Sequence, residues 1–425
     1  MVVLAVAGCG GQGAATDGSG QDSSVTDDSA IDDSVTDDAS LDAATDGGSD
    51  APIEGGSDVA QESDACVAVS CTSKGATCGS LDDGCGKTLD CGSCTAPEKC
   101  VANVCALGTA TLTKSWTISD PFATSTLAWI TAIAYRPDGS RIAVAGGKVG
   151  SLGGTLVVVD ALAVTVDAST GAAGPVLSLP PQHPVAAAFT PDGTTLAIGA
   201  TTGDGTYVYK VDAAGALTAS SLHYVGDSGG DFGVAISPDG TRIAAATTDS
   251  VCLFQTATAA RSYQKEAAAP VLDVAFSATG NSLFAGLYPT SVGVLDATSL
   301  ALVRTIAITS GAGKTLSHLA SIPATTKAYA TVGDAVYVVD ATSSSPSFRF
   351  ATGSVITSIA PNPKLAKVAT AHADGSVRVW DVKTKTMDVS VTDGDAVDTI
   401  AWSPDGTKLA AGGKRTLIVW SLAVK

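Results

Sequence analysis

Three groups of residues in this 425-residue chain have types and spacings that could do chemistry. The first is Gly226-Asp227-Ser228-Gly229-Gly230, where a serine between glycines would become a nucleophile if a base lay against its hydroxyl. Such a serine needs a strand before it, a helix after it and a histidine within hydrogen-bond reach. Its surroundings read instead as a polar loop, with His223 the nearest histidine. The second, Gly313-Lys314-Thr315, has the ending of a phosphate-cradling loop, but Ile308 stands where the first glycine belongs. Gly86-Lys87-Thr88 fails in the same way at Leu81. The third is cysteine, with Cys66, Cys71, Cys78, Cys85, Cys91, Cys94, Cys100 and Cys105 inside forty residues. An even number that dense, among Gly and Asp turns and few core formers, describes a disulfide framework. A zinc site would use Cys91-Gly92-Ser93-Cys94, yet no second pair and no histidine accompanies it. Residues 109–425 hold four histidines (His183, His223, His318, His372) and one glutamate, Glu266. The expectation is therefore no catalytic residue, no metal and no cofactor.

The elements that would have to position such groups follow from composition. The formal charge of -18 excludes general affinity for nucleic acid, and it is unevenly spread. Residues 10–64 carry -15 with no Lys or Arg, residues 65–105 carry -1, and residues 106–425 carry -2. The acidic stretch is built of Asp, Ser, Thr, Ala and Gly without an aromatic residue, so it cannot bury enough apolar surface to offset chain entropy. We expect a disordered acidic linker over 10–64 that acts as a tether. No apolar run approaches the ~20 residues a spanning helix needs. Ahead of the linker, residues 1–9 end in Val6-Ala7-Gly8-Cys9. This resembles the lipobox of bacterial lipoproteins, which implies lipidation of Cys9 as the first mature residue. The basic region expected of a full signal is missing, so the coding sequence is expected to start upstream of Met1. Residues 65–106 form the small disulfide-rich module, which resembles Cys-rich modules near the N-terminus of secreted proteins and lipoproteins in Gram-negative bacteria.

From residue 109 onward one pattern recurs: an apolar strand, a turn, a second strand, a polar loop, and a third strand closing on Asp. The turns are clearest at Pro137-Asp138-Gly139, Pro191-Asp192-Gly193, Pro238-Asp239-Gly240 and Pro404-Asp405-Gly406, with weaker copies at 278–280, 323–325 and 361–363. Pro presets φ, Asp bonds locally and Gly takes the left-handed position, so each is a hairpin turn. Seven copies at periods of about 40 to 54 residues mean seven propeller blades. Third strands are read at Val158-Val159-Asp160, Val211-Asp212, Leu295-Asp296, Val339-Asp340 and Trp380-Asp381. The last repeat supplies three strands, and Thr111–Ile118 is expected to close it as the fourth. The fold class is thus all-β: a seven-bladed β-propeller over 109–425 with an N-terminal strand closing the last blade.

Asp374-Gly375-Ser376-Val377-Arg378-Val379-Trp380-Asp381 and Ser403-Pro404-Asp405-Gly406 resemble the WD40 family. The chain lacks that family's Gly-His dipeptide and has Trp-Asp once, which implies that the buried His-Asp network is largely absent. Val336-Tyr337-Val338-Val339-Asp340-Ala341-Thr342 is also similar to bacterial YVTN-type surface propellers. Together the segments describe an exported lipoprotein of a Gram-negative envelope, at the outer membrane, cell surface or periplasm. Its propeller would be a monomeric, non-catalytic scaffold for a protein, peptide or glycan, touching membrane only through the lipid. A propeller enzyme, lactonase-like or quinoprotein-like, is the alternative. Contact candidates on the loop-bearing face are Tyr224, Asp231, Phe232, Tyr288, Lys314, His372 and Arg415, since large or charged side chains are scarce there and dominate contact energies. Cys252, in an apolar third strand, is expected to be a buried unpaired thiol.

Overall fold

The computed structural model describes residues 66–424 apart from 96–97, 125–127, 153–154, 181–182, 202–204, 224–230, 259–260, 268, 312 and 393–394. The lipobox, Cys9 and the acidic linker lie outside the described residues. Among the described residues there is no helix, and seven four-stranded antiparallel sheets carry the fold. Blades 1 to 7 begin, in chain order, with inner strands Ala128–Tyr135, Pro184–Phe189, Asp231–Ile236, Val271–Phe276, Leu316–Ser321, Ile356–Pro361 and Val397–Trp402. Blade 7 adds Lys408–Gly413 and Leu417–Val424, and its fourth strand is Ala110–Ile118 from the other end of the domain. The closing pair runs from Leu417↔Ile118 to Val424↔Ala110.

Every predicted hairpin turn sits between an inner and a second strand. In the clearest four the Asp side chain accepts the N–H two residues on at 2.9–3.0 Å, from Ser140, Thr194, Thr241 and Thr407. Gly240 takes φ +72°, and its bare Cα faces Pro191 of the preceding blade's turn, whose Cδ would lie 3.0 Å from an added Cβ. Gly280 meets Pro238 and Gly139 meets Pro404 in the same way, so the turns interlock around the lower face. The Asp residues that close third strands cap the next turn likewise: Asp296, Asp340 and Asp381 accept the N–H groups of Thr298, Thr342 and Lys383.

One register differs from expectation. Val158-Val159-Asp160 does not end the third strand of blade 1; that strand runs Thr155–Asp167, and Asp167 takes the capping role, accepting the Ser169 N–H. Asp160 instead pairs with Lys148 at 3.1 Å. The sequence offers two apolar-then-Asp endings, and the longer strand uses the second.

The core consists of layers between blades. Ile130, Ile142, Leu417 and Val419 fill the joint of blades 7 and 1, and Phe284, Val292, Leu316 and Tyr337 that of blades 4 and 5. At the lower end of blade 6 lies a buried charge cluster. Lys367 Nζ is 3.1 Å from Asp381 and 2.6 Å from Asp388, with its side chain fully buried. Asp388 also accepts the N–H of Ala110, where the chain enters its closing strand. Loss of solvent raises the Asp388 carboxyl despite its lysine partner.

All eight module cysteines are bonded, as Cys66–Cys85, Cys71–Cys91, Cys78–Cys100 and Cys94–Cys105. The sulfurs of Cys78, Cys94 and Cys105 lie within 4.8 Å of one another because two of these bridges are adjacent. Each is already spent in a covalent bond. Glu98 of the module pairs with Lys383 of blade 6, which ties the module to the propeller. Cys252 is fully buried, as expected, but it is not a free thiol.

The closing strand generates a test. Deleting residues 110–118 leaves the edge of Leu417–Val424 bare, and aggregation or loss of most thermal stability is expected in a melt followed by circular dichroism. Deleting 10–64 should leave the melt unchanged. Equal behaviour of the two deletions would contradict the closure.

Candidate ligand-binding face

The upper face carries the loops between second and third strands and those between blades. Each inner strand enters it through a β-bulge, at Thr131, Val185, Phe232, Leu272, Ser317, Thr357 and Asp398. A bulge adds a residue without a cross-strand partner and re-aims the strand. The seven therefore ring the mouth of the central channel. Further down the same strands, one position is alanine in all seven blades: Ala134, Ala188, Ala235, Ala275, Ala320, Ala360 and Ala401. A small residue there lets the inner strands approach the axis.

Within this channel blades 4 to 7 are linked by polar contacts. Asp273 of blade 4 accepts the Val274 N–H in its own strand and the Leu319 N–H of blade 5, each at 2.8 Å. On its other side Gly233 of blade 3 leaves room, since an added Cβ would lie 2.2 Å from the carboxylate. His318 Nδ1 is 4.0 Å from Asp273, and the ring also bonds the backbone of Thr357 in blade 6. The Thr357 hydroxyl donates to the Val397 carbonyl of blade 7 at 2.7 Å. Loss of water pushes the Asp273 carboxyl up to about 7 and the His318 imidazole down to about 4. Near neutrality the imidazole is therefore uncharged, while the carboxyl holds its proton well above the ordinary carboxylate range. Ser317, the neighbouring hydroxyl, is bonded to Thr331 at 2.8 Å. Asp398, at the bulge of blade 7, is also raised by desolvation.

A cleft of about 500 Å³ opens on the same face between blades 5 and 6. Its wall is formed by Lys314, Ser317, Asp334, Ser354 and Val355. Lys314 forms an ion pair with Asp334, and Val355 is 57% exposed.

The expected contact residues fall into three sets. Phe232 (38% exposed), Tyr288 (50% exposed) and exposed Arg415 do lie on the upper face, and Lys314 lines the cleft. Tyr224 and the Ser228 motif lie outside the described residues; Asp231 opens the inner strand of blade 3, its side chain likewise outside the description. His372 does not reach the surface: it is fully buried at the end of the second strand of blade 6. One ring nitrogen bonds the Thr370 hydroxyl at 2.8 Å and the other the Ser354 carbonyl at 3.2 Å, while Trp380 Nε1 donates to Thr370 at 2.9 Å. So blade 6 keeps a buried Trp-Thr-His chain. Its histidine comes from the second strand. Asp273, Asp334 and Asp398 were not singled out from sequence; a lone acid in an apolar inner strand, as in Val271-Leu272-Asp273-Val274-Ala275-Phe276, was the available signal.

The WD domain, G-beta repeat model matches residues 343–381 and 385–421, which are the last two blades with the strands leading into them. No curated protein matches the chain. The molecule is a seven-bladed β-propeller, and two stretches in its last two blades match the WD40 repeat. A WD40 propeller is in general a scaffold for protein interaction.

The channel pair makes a pH prediction. Between pH 4 and 7 the folded state keeps a proton on Asp273 that the unfolded chain releases, so this group's contribution to stability falls as pH rises. His318 acts oppositely between pH 4 and 6.5, where the unfolded chain holds the extra proton, and the two largely cancel. Asp273→Asn removes the first contribution only. Relative to the parent, its stability should rise from pH 4 to pH 7.5 by roughly 2–4 kcal/mol, whatever its constant offset from lost hydrogen bonds. A difference that does not change with pH would show that Asp273 titrates normally.

Proposed function

We propose that the protein is an exported lipoprotein, anchored through Cys9, whose propeller captures a protein or peptide ligand on its upper face. The carrying observation is the cleft of about 500 Å³ on the upper face of a WD40-type propeller, with Val355 exposed on its wall. Tyr288 on that face supplies a large, partly apolar side chain of the kind that dominates contact energies. Both ring nitrogens of His372 are engaged inside blade 6, which supports a packing role for that histidine rather than a catalytic one. The acidic run between Cys9 and Cys66 supports an anchored, outward-held domain, since 55 residues of self-repelling linker extend away from a surface. The four bridges of the module support export, because such frameworks persist in oxidising compartments.

Two measurements test this reading. Full-length protein should capture its ligand from envelope extract, and Val355→Asp or Tyr288→Ala should weaken capture by about tenfold or more with the melting temperature unchanged. Undiminished capture by both variants would move the site off this face. For the anchor, metabolic labelling with a fatty-acid analogue, in a chain given a complete export signal ahead of Cys9, should tag the parent and not Cys9→Ser. Labelling of the serine variant would end the lipoprotein reading.

A further inference from the structure

Blade 1 differs from the others in the length of its middle strands. Arg141–Leu152 has 12 residues and Thr155–Asp167 has 13, against 6 in each counterpart of blades 2 to 6. The two strands pair from Arg141↔Asp167 out to Leu152↔Thr155. Their neighbours stop short. The inner strand pairs no further than Ala128↔Lys148, and the outer strand is only Leu177–Ser178, opposite Leu162 and Ala163. Beyond the Lys148–Asp160 ion pair, the extra residues thus form a two-stranded ribbon that overhangs the upper face by roughly 13 Å. Along its outer side, among the described residues, no strand pairs with Thr155–Asp160.

The sequence of that edge is Thr155-Leu156-Val157-Val158-Val159, β-branched or apolar throughout, without charge or proline. Five of the six other outer strands carry charges: Lys114, Arg261, Arg304, Arg349 and Asp388. Charge and proline are the usual means of blunting a free edge, and here they are absent. A bare two-stranded ribbon is marginal alone and offers a row of unpaired N–H and C=O groups to a third strand.

We propose that this edge is a β-augmentation site, which takes an extended, uncharged segment of about five residues from a partner protein. The occupant follows from size and charge. Two propellers joined through so short an edge would fall well below the roughly 800 Å² per partner of a stable association, whereas a single extended segment needs no more than the edge provides. At the ribbon's root Lys148 and Asp160 already neutralise each other, and Lys414 and Arg415 lie beyond the inner strand, against Trp129 and Ala128 on the side away from the free edge, so a charged segment on the outer edge would lose hydration without gaining a counter-ion there. The site rests on the interaction-scaffold reading and names the partner class for it, at a place separate from the cleft.

The probe is a synthetic peptide of alternating Thr and Val, six residues with a distant solubilising Lys tail, and its analogue N-methylated at alternate amides. Full-length protein should bind the unmodified peptide with a micromolar Kd and slow amide hydrogen exchange in residues 155–160. Binding should fall at least about tenfold for the methylated peptide, for Val157→Lys, and for a protein whose residues 149–159 are replaced by Asn-Gly; Tyr288→Ala should leave it unchanged. The replacement variant, judged by an unaltered melting temperature, separates loss of the edge from misfolding. No binding by the parent, equal binding of the methylated peptide, or self-association of the parent that vanishes with the ribbon would each overturn the proposal. Loss of cleft-dependent capture with peptide binding retained would instead count against the reading of the cleft alone.

Discussion

The pairing of Ala110–Ile118 with Leu417–Val424 is the constraint on which the rest depends. Six of the seven blades are built from four consecutive strands, and only the last combines both ends of the domain, so the ring is held shut at this one pairing. Strand pairing alone places that burden on one hairpin-less junction. The buried Lys367–Asp388 pair relieves it, because Asp388 holds the first amide of the closing strand at Ala110. Removing one partner from such a pair leaves a charge uncompensated in the interior, which is far more costly than the pair is stabilising. The cluster therefore acts on where the strand begins more than on how stable the blade is. The Glu98–Lys383 pair fixes the preceding module to the same blade, so the approach to the ring is guided from its start.

Once the ring is closed, its interior is governed by size. Alanine at one position of all seven inner strands, and glycines such as Gly233 and Gly240 at contacts between blades, bring backbones close enough for bonds to cross from blade to blade. The Asp273 carboxyl can reach the Leu319 amide only because Gly233 leaves space behind it. Polar groups packed this way lose water, and the opposite displacements of Asp273 and His318 follow directly. The polar channel mouth is in this sense a by-product of close packing.

Much of this was legible in the sequence, and the legible parts share a cause. Turns announce themselves through Pro-Asp-Gly because the backbone there requires those residues, and cysteine density announces covalent bonding; both are local signals. The closing strand was legible because blade 7 visibly lacks a fourth strand of its own. What local signals cannot settle is choice between equivalents. Val158-Val159-Asp160 and Val166-Asp167 both look like a capped third strand, and only the pairing partner decides which one is. His372 has the look of a loop residue two positions before Asp374, yet its ring turns inward to Thr370, a contact set by strand pleat. Asp273 and His318 are 45 positions apart and meet only through the packing of neighbouring blades. Eight cysteines admit many pairings, and the bridges found follow from the fold of the module.

The separation of charge along the chain bears on how the face can work. Nearly all of the net -18 belongs to residues 10–64, and the residues from 106 onward are close to neutral. A near-neutral domain has little long-range field with which to steer a partner, so association there relies on contact: a filled cleft, an aromatic side chain, a paired strand edge. Residues 10–64 carry the charge that the face lacks, and like charge on every copy discourages nonspecific adhesion. Charge in the acidic segment, with the ribbon and cleft left weakly charged, divides two requirements that conflict on one surface. A charged edge would be soluble but closed to pairing, and an uncharged edge without the acidic segment would be open to the wrong partners. The open strand at Thr155–Val159 is tolerable in this chain because the repulsion that protects it is carried elsewhere.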